Sequence, residues 1–63
     1  MCLATAFANR NGEETVVAQY VAAVELREGK VLLTGIMGEE TEVEGILKSV
    51  DLTKNVVEIS CPA

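Results

Sequence analysis

The chain contains no histidine, the residue that most enzymes use as a general base at neutral pH and that most metal sites use as a ligand. A cysteine or serine nucleophile would therefore have no imidazole partner. A glycine-rich loop followed by lysine and serine or threonine, which cradles phosphates, is missing too, because the stretch Gly35-Ile36-Met37-Gly38 has no other part of that motif. We expect a protein that works by binding, not an enzyme.

Aromatic and basic residues are also scarce. One Phe, one Tyr and no Trp leave no aromatic platform on which unpaired bases could stack. Ten acidic residues against five basic ones give a formal net charge of −5, which repels a phosphate backbone. Nucleic acid is therefore disfavoured as a partner.

Long apolar runs are absent, since no segment approaches the roughly 18 residues that cross a bilayer. No apolar stretch with basic flanks marks an export signal, so we expect a soluble cytoplasmic protein with no membrane partner. In that reducing compartment a disulfide between the two cysteines, Cys2 and Cys61, would be unusual, which favours a metal or a catalytic role for a thiol. A chain of 63 residues buries only about 60% of the surface that its unfolded form exposes, so a second copy would help to stabilise it.

The rest of the chain alternates short segments rich in Val, Leu, Ile and Thr with turn signals, a pattern typical of strands. Asn11-Gly12 is the strongest hairpin signal, and Gly29 and Gly38 mark two further turns. Extended segments are predicted at residues 2–8, 14–26, 31–36, 41–44, 46–52 and 56–61, with a bend at Gln19-Tyr20, a bulge at Gly45 and an irregularity, or less favourably a short helix, at Lys48-Ser49. Residues 1–63 are thus predicted to form one all-β domain, a small SH3-like, partly open barrel of about five antiparallel strands.

Several segments resemble one protein family. The opening Met1-Cys2-Leu3-Ala4-Thr5-Ala6 is similar to the start of the CooT family, small proteins linked to nickel insertion into carbon monoxide dehydrogenase. Later strands of that family are similar to Val21-Ala22-Ala23-Val24, Val31-Leu32-Leu33-Thr34 and Glu42-Val43-Glu44-Gly45. The resemblance implies an SH3-like fold, a homodimer, Ni(II) binding through Cys2 and a client metalloenzyme such as carbon monoxide dehydrogenase. Relatives are often labelled as RNA-binding, which this acidic chain with few aromatics does not support.

The position of Cys2 also favours a metal on chemical grounds alone. Its thiolate and its own amide nitrogen can close a five-membered ring on a metal, and the terminal amine of Met1 with that same amide closes a second. If Met1 is removed, the new amine and the thiolate of Cys2 form one such ring. These donors suit square-planar nickel(II) or copper(II), whereas zinc prefers four side chains in a tetrahedron. A two-fold dimer would supply the remaining donors, so we predict one metal per dimer with Cys2 and Met1 as ligands; the alternative is that Cys2 is an ordinary buried thiol.

Three other features have simpler interpretations beside the functional ones. The first predicted strand carries small residues at every second position: Cys2, Ala4, Ala6 and Ala8. This stripe favours either close approach of another backbone or a crowded barrel interior. Cys61 shares a strand face with Val57 and Ile59, which favours packing, and Met37 is interpreted as core or dimer filler, with a soft metal ligand as the weaker alternative.

The leading hypothesis is therefore a nickel-binding, metallochaperone-like accessory protein that acts as a dimer. The alternatives are a metal-free module that recruits another protein through a sheet edge or an apolar face, and a small RNA-binding domain.

Overall fold

Six β-strands build the molecule in the computed structural model, which describes residues 3–62. They are β1 (Ala4–Arg10), β2 (Glu13–Arg27), β3 (Lys30–Gly35), β4 (Glu40–Glu44), β5 (Ile46–Asp51) and β6 (Val56–Ser60). No helix occurs between residues 3 and 62. The all-β prediction is confirmed, and each strand lies within two residues of its predicted bounds at either end.

One sheet contains all six strands, in the order β4-β3-β2-β1-β6-β5. Neighbouring strands run antiparallel except β1 and β6, which run parallel, with Thr5 opposite Val56 and Asn9 opposite Ser60. The prediction of about five antiparallel strands is therefore corrected to six strands with one parallel pair. The parallel pair arises because the chain passes from one edge of the sheet, β4, to the other edge, β5, before β6 enters beside β1. The sheet curls into the predicted SH3-like, partly open barrel, an open half-barrel.

The long strand β2 contributes to both halves of this barrel. Its first part, from Glu13 to Ala18, pairs with β1, and its second part, from Val21 to Arg27, pairs with β3; Val21 also lies opposite Ala4 of β1. Between them Tyr20 has a φ of 57°, a conformation that few residues other than glycine adopt, and the register shifts on both sides. The bend predicted at Gln19-Tyr20 is confirmed, and it lets one strand turn the corner of the barrel.

Gly45 is the single residue between β4 and β5. It is buried, its φ is 146°, and a Cβ at this position would collide with the carbonyl oxygen of Ser60. Only glycine has both the required φ and the required absence of a side chain. The bulge predicted here is wrong, because Gly45 links two strands at opposite edges. The irregularity predicted at Lys48-Ser49 is confirmed, since the register with β6 shifts between Leu47 and Ser49.

The core lies on the concave side of the half-barrel. Its buried side chains are Ala6, Ala8, Val21, Val31, Leu33, Val57 and Ile59. Ala6 and Ala8 belong to the small-residue stripe of β1, so the structure favours the crowded interior as the reason for these two alanines. Cys61 packs against the core at its rim, on the face predicted from the alternation of β6.

Candidate functional site

The end of the sheet at which β1 begins brings together segments that are distant in the sequence. Ala4 lies opposite Val21 of β2, and Val21 lies opposite Gly35, the last residue of β3. The amide of Thr5 donates a hydrogen bond of 2.9 Å to the carbonyl of Asn55, just before β6. The start of β1 therefore lies at the same end of the sheet as the β3–β4 turn and the β5–β6 turn. The predicted metal ligands, Met1 and Cys2, come immediately before this point in the chain and lie outside the described residues.

Four of the eight exposed large hydrophobic side chains of residues 3–62 lie in the segments at this end, which we call the apolar end. Its members, with the exposed fraction of each, are Tyr20 (63%), Ile36 (59%), Met37 (87%) and Leu52 (81%). Tyr20 and Ile36 are held together because the amide of Ile36 donates a hydrogen bond of 3.0 Å to the carbonyl of Tyr20. Single exposed apolar residues are normal, but several at one end of a small domain indicate a surface that a partner covers. The core interpretation of Met37 is wrong, because its side chain is almost wholly exposed.

The β5–β6 turn presents Leu52 in a fixed geometry. One carboxylate oxygen of Asp51 accepts hydrogen bonds from the Thr53 amide at 3.0 Å, the Thr53 hydroxyl at 2.6 Å and the Lys54 amide at 3.1 Å. These donors stabilise the ionised form, so the Thr53 hydroxyl and then the Lys54 amide lower the pKa of Asp51. A depression of about 180 Å³ runs from Ala4 at the start of β1 to this turn.

Cys61 lies at the other end of the sheet. Its amide donates a hydrogen bond of 2.8 Å to the carbonyl of Asn9, close to the last residue of β1. Asn9 is five residues beyond Ala4, about 17 Å along an extended strand at the usual rise. Cys61 therefore does not extend a ligand set at the start of β1. Within residues 3–62 no cluster of three or more His, Cys, Asp or Glu side chains forms a group that could hold a metal.

One pair of acidic side chains was not apparent from the sequence. Glu14 and Glu58 flank β1 from β2 and β6, and hydrogen bonding with Glu58, followed by its repulsion, raises the pKa of Glu14. The same hydrogen bond, together with one of 3.1 Å from the Ser49 hydroxyl, lowers the pKa of Glu58. The protonation of each carboxyl group therefore depends on that of the other. The two residues are far apart in the sequence, and only the pairing of β1 with both strands brings them together.

Comparison with known proteins identifies the family. The family model described as "CO dehydrogenase accessory protein CooT" matches residues 1–60. The chain belongs to the CooT family. Among solved structures, it is similar to the crystal structure of a protein from Carboxydothermus hydrogenoformans that is assigned to CooT, with 21% sequence identity and a TM-score of 0.84. The match covers 98% of this chain and 100% of that one, and at this identity it shows a shared fold. Among curated proteins none matches the chain.

Membership of CooT confirms the resemblance found in the sequence and sets the class of function. The family is described as an accessory protein of CO dehydrogenase, which agrees with the expectation that the chain is not itself an enzyme. Between residues 3 and 62 there is no helix that could span a membrane. Nickel, the homodimer and the cytoplasmic location stay predictions.

A second surface of this CooT chain is a groove of about 710 Å³ between β4 and the hairpin of β1 and β2. We call it the β4 groove. Ala8, Val17, Val43 and Cys61 contribute apolar surface to its lining. Its charged residues are Arg10, Glu13, Glu42 and Glu44. Sequence reasoning missed this groove, because it depends on how far the sheet curls.

Proposed function

We propose that this chain binds Ni(II) as cargo at the interface of a homodimer, through the thiolate of Cys2 and the backbone nitrogens beside it, for the maturation of a nickel enzyme such as carbon monoxide dehydrogenase. The observation that carries the proposal is the apolar end. The chain enters the sheet from Met1 and Cys2 at the end where Tyr20, Met37 and Leu52 are exposed. A second copy that covers these side chains would bring the two chain starts close together.

The donor set supports nickel over other cargo. A thiolate and deprotonated backbone nitrogens are strong-field donors, and these favour a square-planar ion. The described residues offer no competing cluster of metal ligands, and the sequence contains no histidine that would favour zinc. The preference for Ni(II) therefore rests on the donor atoms of residues 1 and 2.

Symmetry supports a shared site. In a two-fold dimer the same patch of each copy meets its counterpart, so each chain would contribute an identical half of the ligand set. A standard interface buries about 800 Å² of each partner, close to a fifth of the 4392 Å² that this chain exposes. Apolar side chains on two turns and a strand bend would provide its centre, with ligands from both copies at the two-fold axis.

Titration of Ni(II) into the reduced protein tests the proposal. We expect a sulfur-to-nickel charge-transfer band that saturates at half an equivalent per chain and is lost in Cys2→Ala. The matched control is Cys61→Ala, which removes the other thiol at the far end of the sheet and should leave the titration unchanged. A Cys2→Ala protein that titrates like the wild type would end the proposal. Sedimentation of metal-free and nickel-loaded samples then shows whether protein contacts or the ion holds the dimer.

A metal-free interaction module is the second candidate, and one observation favours it: β4 has an edge that no other described strand covers. Strand addition at such an edge is a common way to bind a partner. This candidate predicts a dimer or complex that is insensitive to nickel and to Cys2→Ala.

A further inference from the structure

We propose that the β4 groove binds an extended basic segment of a partner protein, which adds to the sheet as a strand beside β4. This inference goes beyond the proposed function and does not depend on nickel, because the groove opens between β4 and the tip of the β1–β2 hairpin, away from the start of β1.

The backbone of β4 is available for strand addition. β4 pairs with β3 from Glu40 to Glu44, and no other strand within residues 3–62 pairs with it. The other edge strand, β5, carries two features that protect an edge, a lysine at position 48 and a register shift beside it. β4 has neither a lysine, a proline nor a shift, and its register with β3 is continuous. Of the two edges, β4 is therefore the one that can accept another strand.

Charge determines which strand β4 can accept. Its sequence alternates Glu40, Glu42 and Glu44 on the exposed side with Thr41 and Val43, which are half-buried towards the core. A second β4 paired with it would place carboxylates against carboxylates, which is unfavourable across strands. A second copy of this chain is therefore disfavoured at this edge. A strand with lysine or arginine at every second position would instead meet a carboxylate at each of them.

The charges of the groove lining agree with a basic partner. Three carboxylates and one guanidinium line it, a formal net charge of −2. The Lys30 Nζ lies 3.7 Å from Glu42 Oε1, but both side chains are about half exposed. Such an exposed ion pair is weak, so a basic residue of the partner can replace Lys30 beside Glu42. Between the charged positions the partner would place small or β-branched side chains over Thr41 and Val43. The geometry thus points to an extended segment in which basic and β-branched residues alternate.

Titration of a short synthetic peptide tests this proposal on the full chain labelled with ¹⁵N. Lysine alternates with threonine and valine in the peptide. We expect amide shifts confined to β4 and the facing part of β2, near Thr15 and Val17. In the double variant Glu42→Gln and Glu44→Gln the affinity should fall about fivefold, because two of the charged contacts are lost. Glu28→Gln, in the β2–β3 turn outside the groove, is the matched control and should change nothing.

Two further peptides separate strand addition from simple charge attraction. A version with N-methyl groups on alternate amides keeps every charge but cannot complete the backbone ladder, so it should not bind. A version with glutamate in place of lysine should not bind either. Three results would each overturn the proposal: equal binding of the N-methylated peptide, amide shifts spread over all exposed carboxylates, or no binding of the first peptide. None of them would affect the nickel titration. A single-stranded RNA that shifts the same resonances would also overturn it.

Discussion

The backbone amide of Gly45 donates a hydrogen bond of 3.0 Å to the carbonyl of Gly29, and this bond ties the link between the two edge strands to the β2–β3 turn. Gly45 is also pressed against the carbonyl of Ser60 at the end of β6. One residue thus holds together three parts of the barrel that come from different regions of the sequence. The open half-barrel is fixed at this corner.

Gly45→Ala should lower the free energy of unfolding by about 3 kcal/mol, because alanine is strained at this φ and its Cβ meets the Ser60 carbonyl. Gly12→Ala is the matched control, with a φ of 81° but open space around the added Cβ, and it should cost only about 1 kcal/mol. Urea unfolding monitored by circular dichroism measures both. Equal losses in the two variants would show that the collision with Ser60 has no effect on stability.

Replacing Glu14 by glutamine should change how stability depends on pH. The pKa of Glu14 is raised above its ordinary value of 4.5, so the stability that its protonated form contributes is present below 4.5 and is lost as the pH rises through the raised value. Glutamine keeps a hydrogen-bond donor towards Glu58 at every pH and carries no charge. Glu14→Gln should therefore become more stable, relative to the wild type, as the pH rises from 4.5 to neutrality.

The lowered pKa of Glu58 works in the opposite direction. The stability that the ionised form of Glu58 contributes is present above pH 4.5 and is lost as the pH falls through the lowered pKa. Urea unfolding midpoints are measured at pH values below and above 4.5 for the wild type, Glu14→Gln and the exposed control Glu28→Gln. These midpoints separate the effect of Glu14 on stability from that of Glu58. A constant difference in stability between wild type and Glu14→Gln at all pH values would contradict the interaction of Glu14 with Glu58.

Leu52→Lys should weaken the proposed dimer about tenfold, since it places a charge in a surface that a second copy would cover. Ile46→Lys is the matched control, because Ile46 is also exposed, at 72%, but lies opposite Ser60 at the other end of the sheet. Neither variant should alter the unfolding of the monomer, since neither side chain belongs to the core. Sedimentation equilibrium compares the dissociation constants, and equal weakening by both variants would mean that the apolar end is not the interface.

Much of the strand pattern could be predicted because it depends on neighbouring residues. Asn11 and Gly12 have φ values of 55° and 81°, the pair of positive angles that a tight hairpin turn requires, and the sequence shows this directly. The burial of Val57 and Ile59 follows from simple alternation along β6. The bend at Tyr20 could be predicted for the same reason, since it interrupts an alternating segment.

The features that depend on the path of the chain through the sheet could not be predicted from the sequence. The parallel pairing of β1 with β6 requires the crossing at Gly45, which looked like a bulge when only its neighbours were considered. The Glu14 and Glu58 pair and the β4 groove are consequences of that crossing and of the curl of the sheet. The predicted ligands Met1 and Cys2 lie outside the described residues. Their proposed role in metal binding therefore rests on the chemistry of their donor atoms and on the position of Ala4.

The position of β1 between β2 and β6 also determines the order in which the molecule can form during synthesis. β1 can pair with β2 early in synthesis, but it can pair with β6 only after residues 56–60 have left the ribosome. Contacts between such distant parts of a sequence make folding slow compared with that of local hairpins. A newly made chain would therefore leave one edge of β1 unpaired until β6 is made, and truncation before Val56 would leave that edge unpaired permanently.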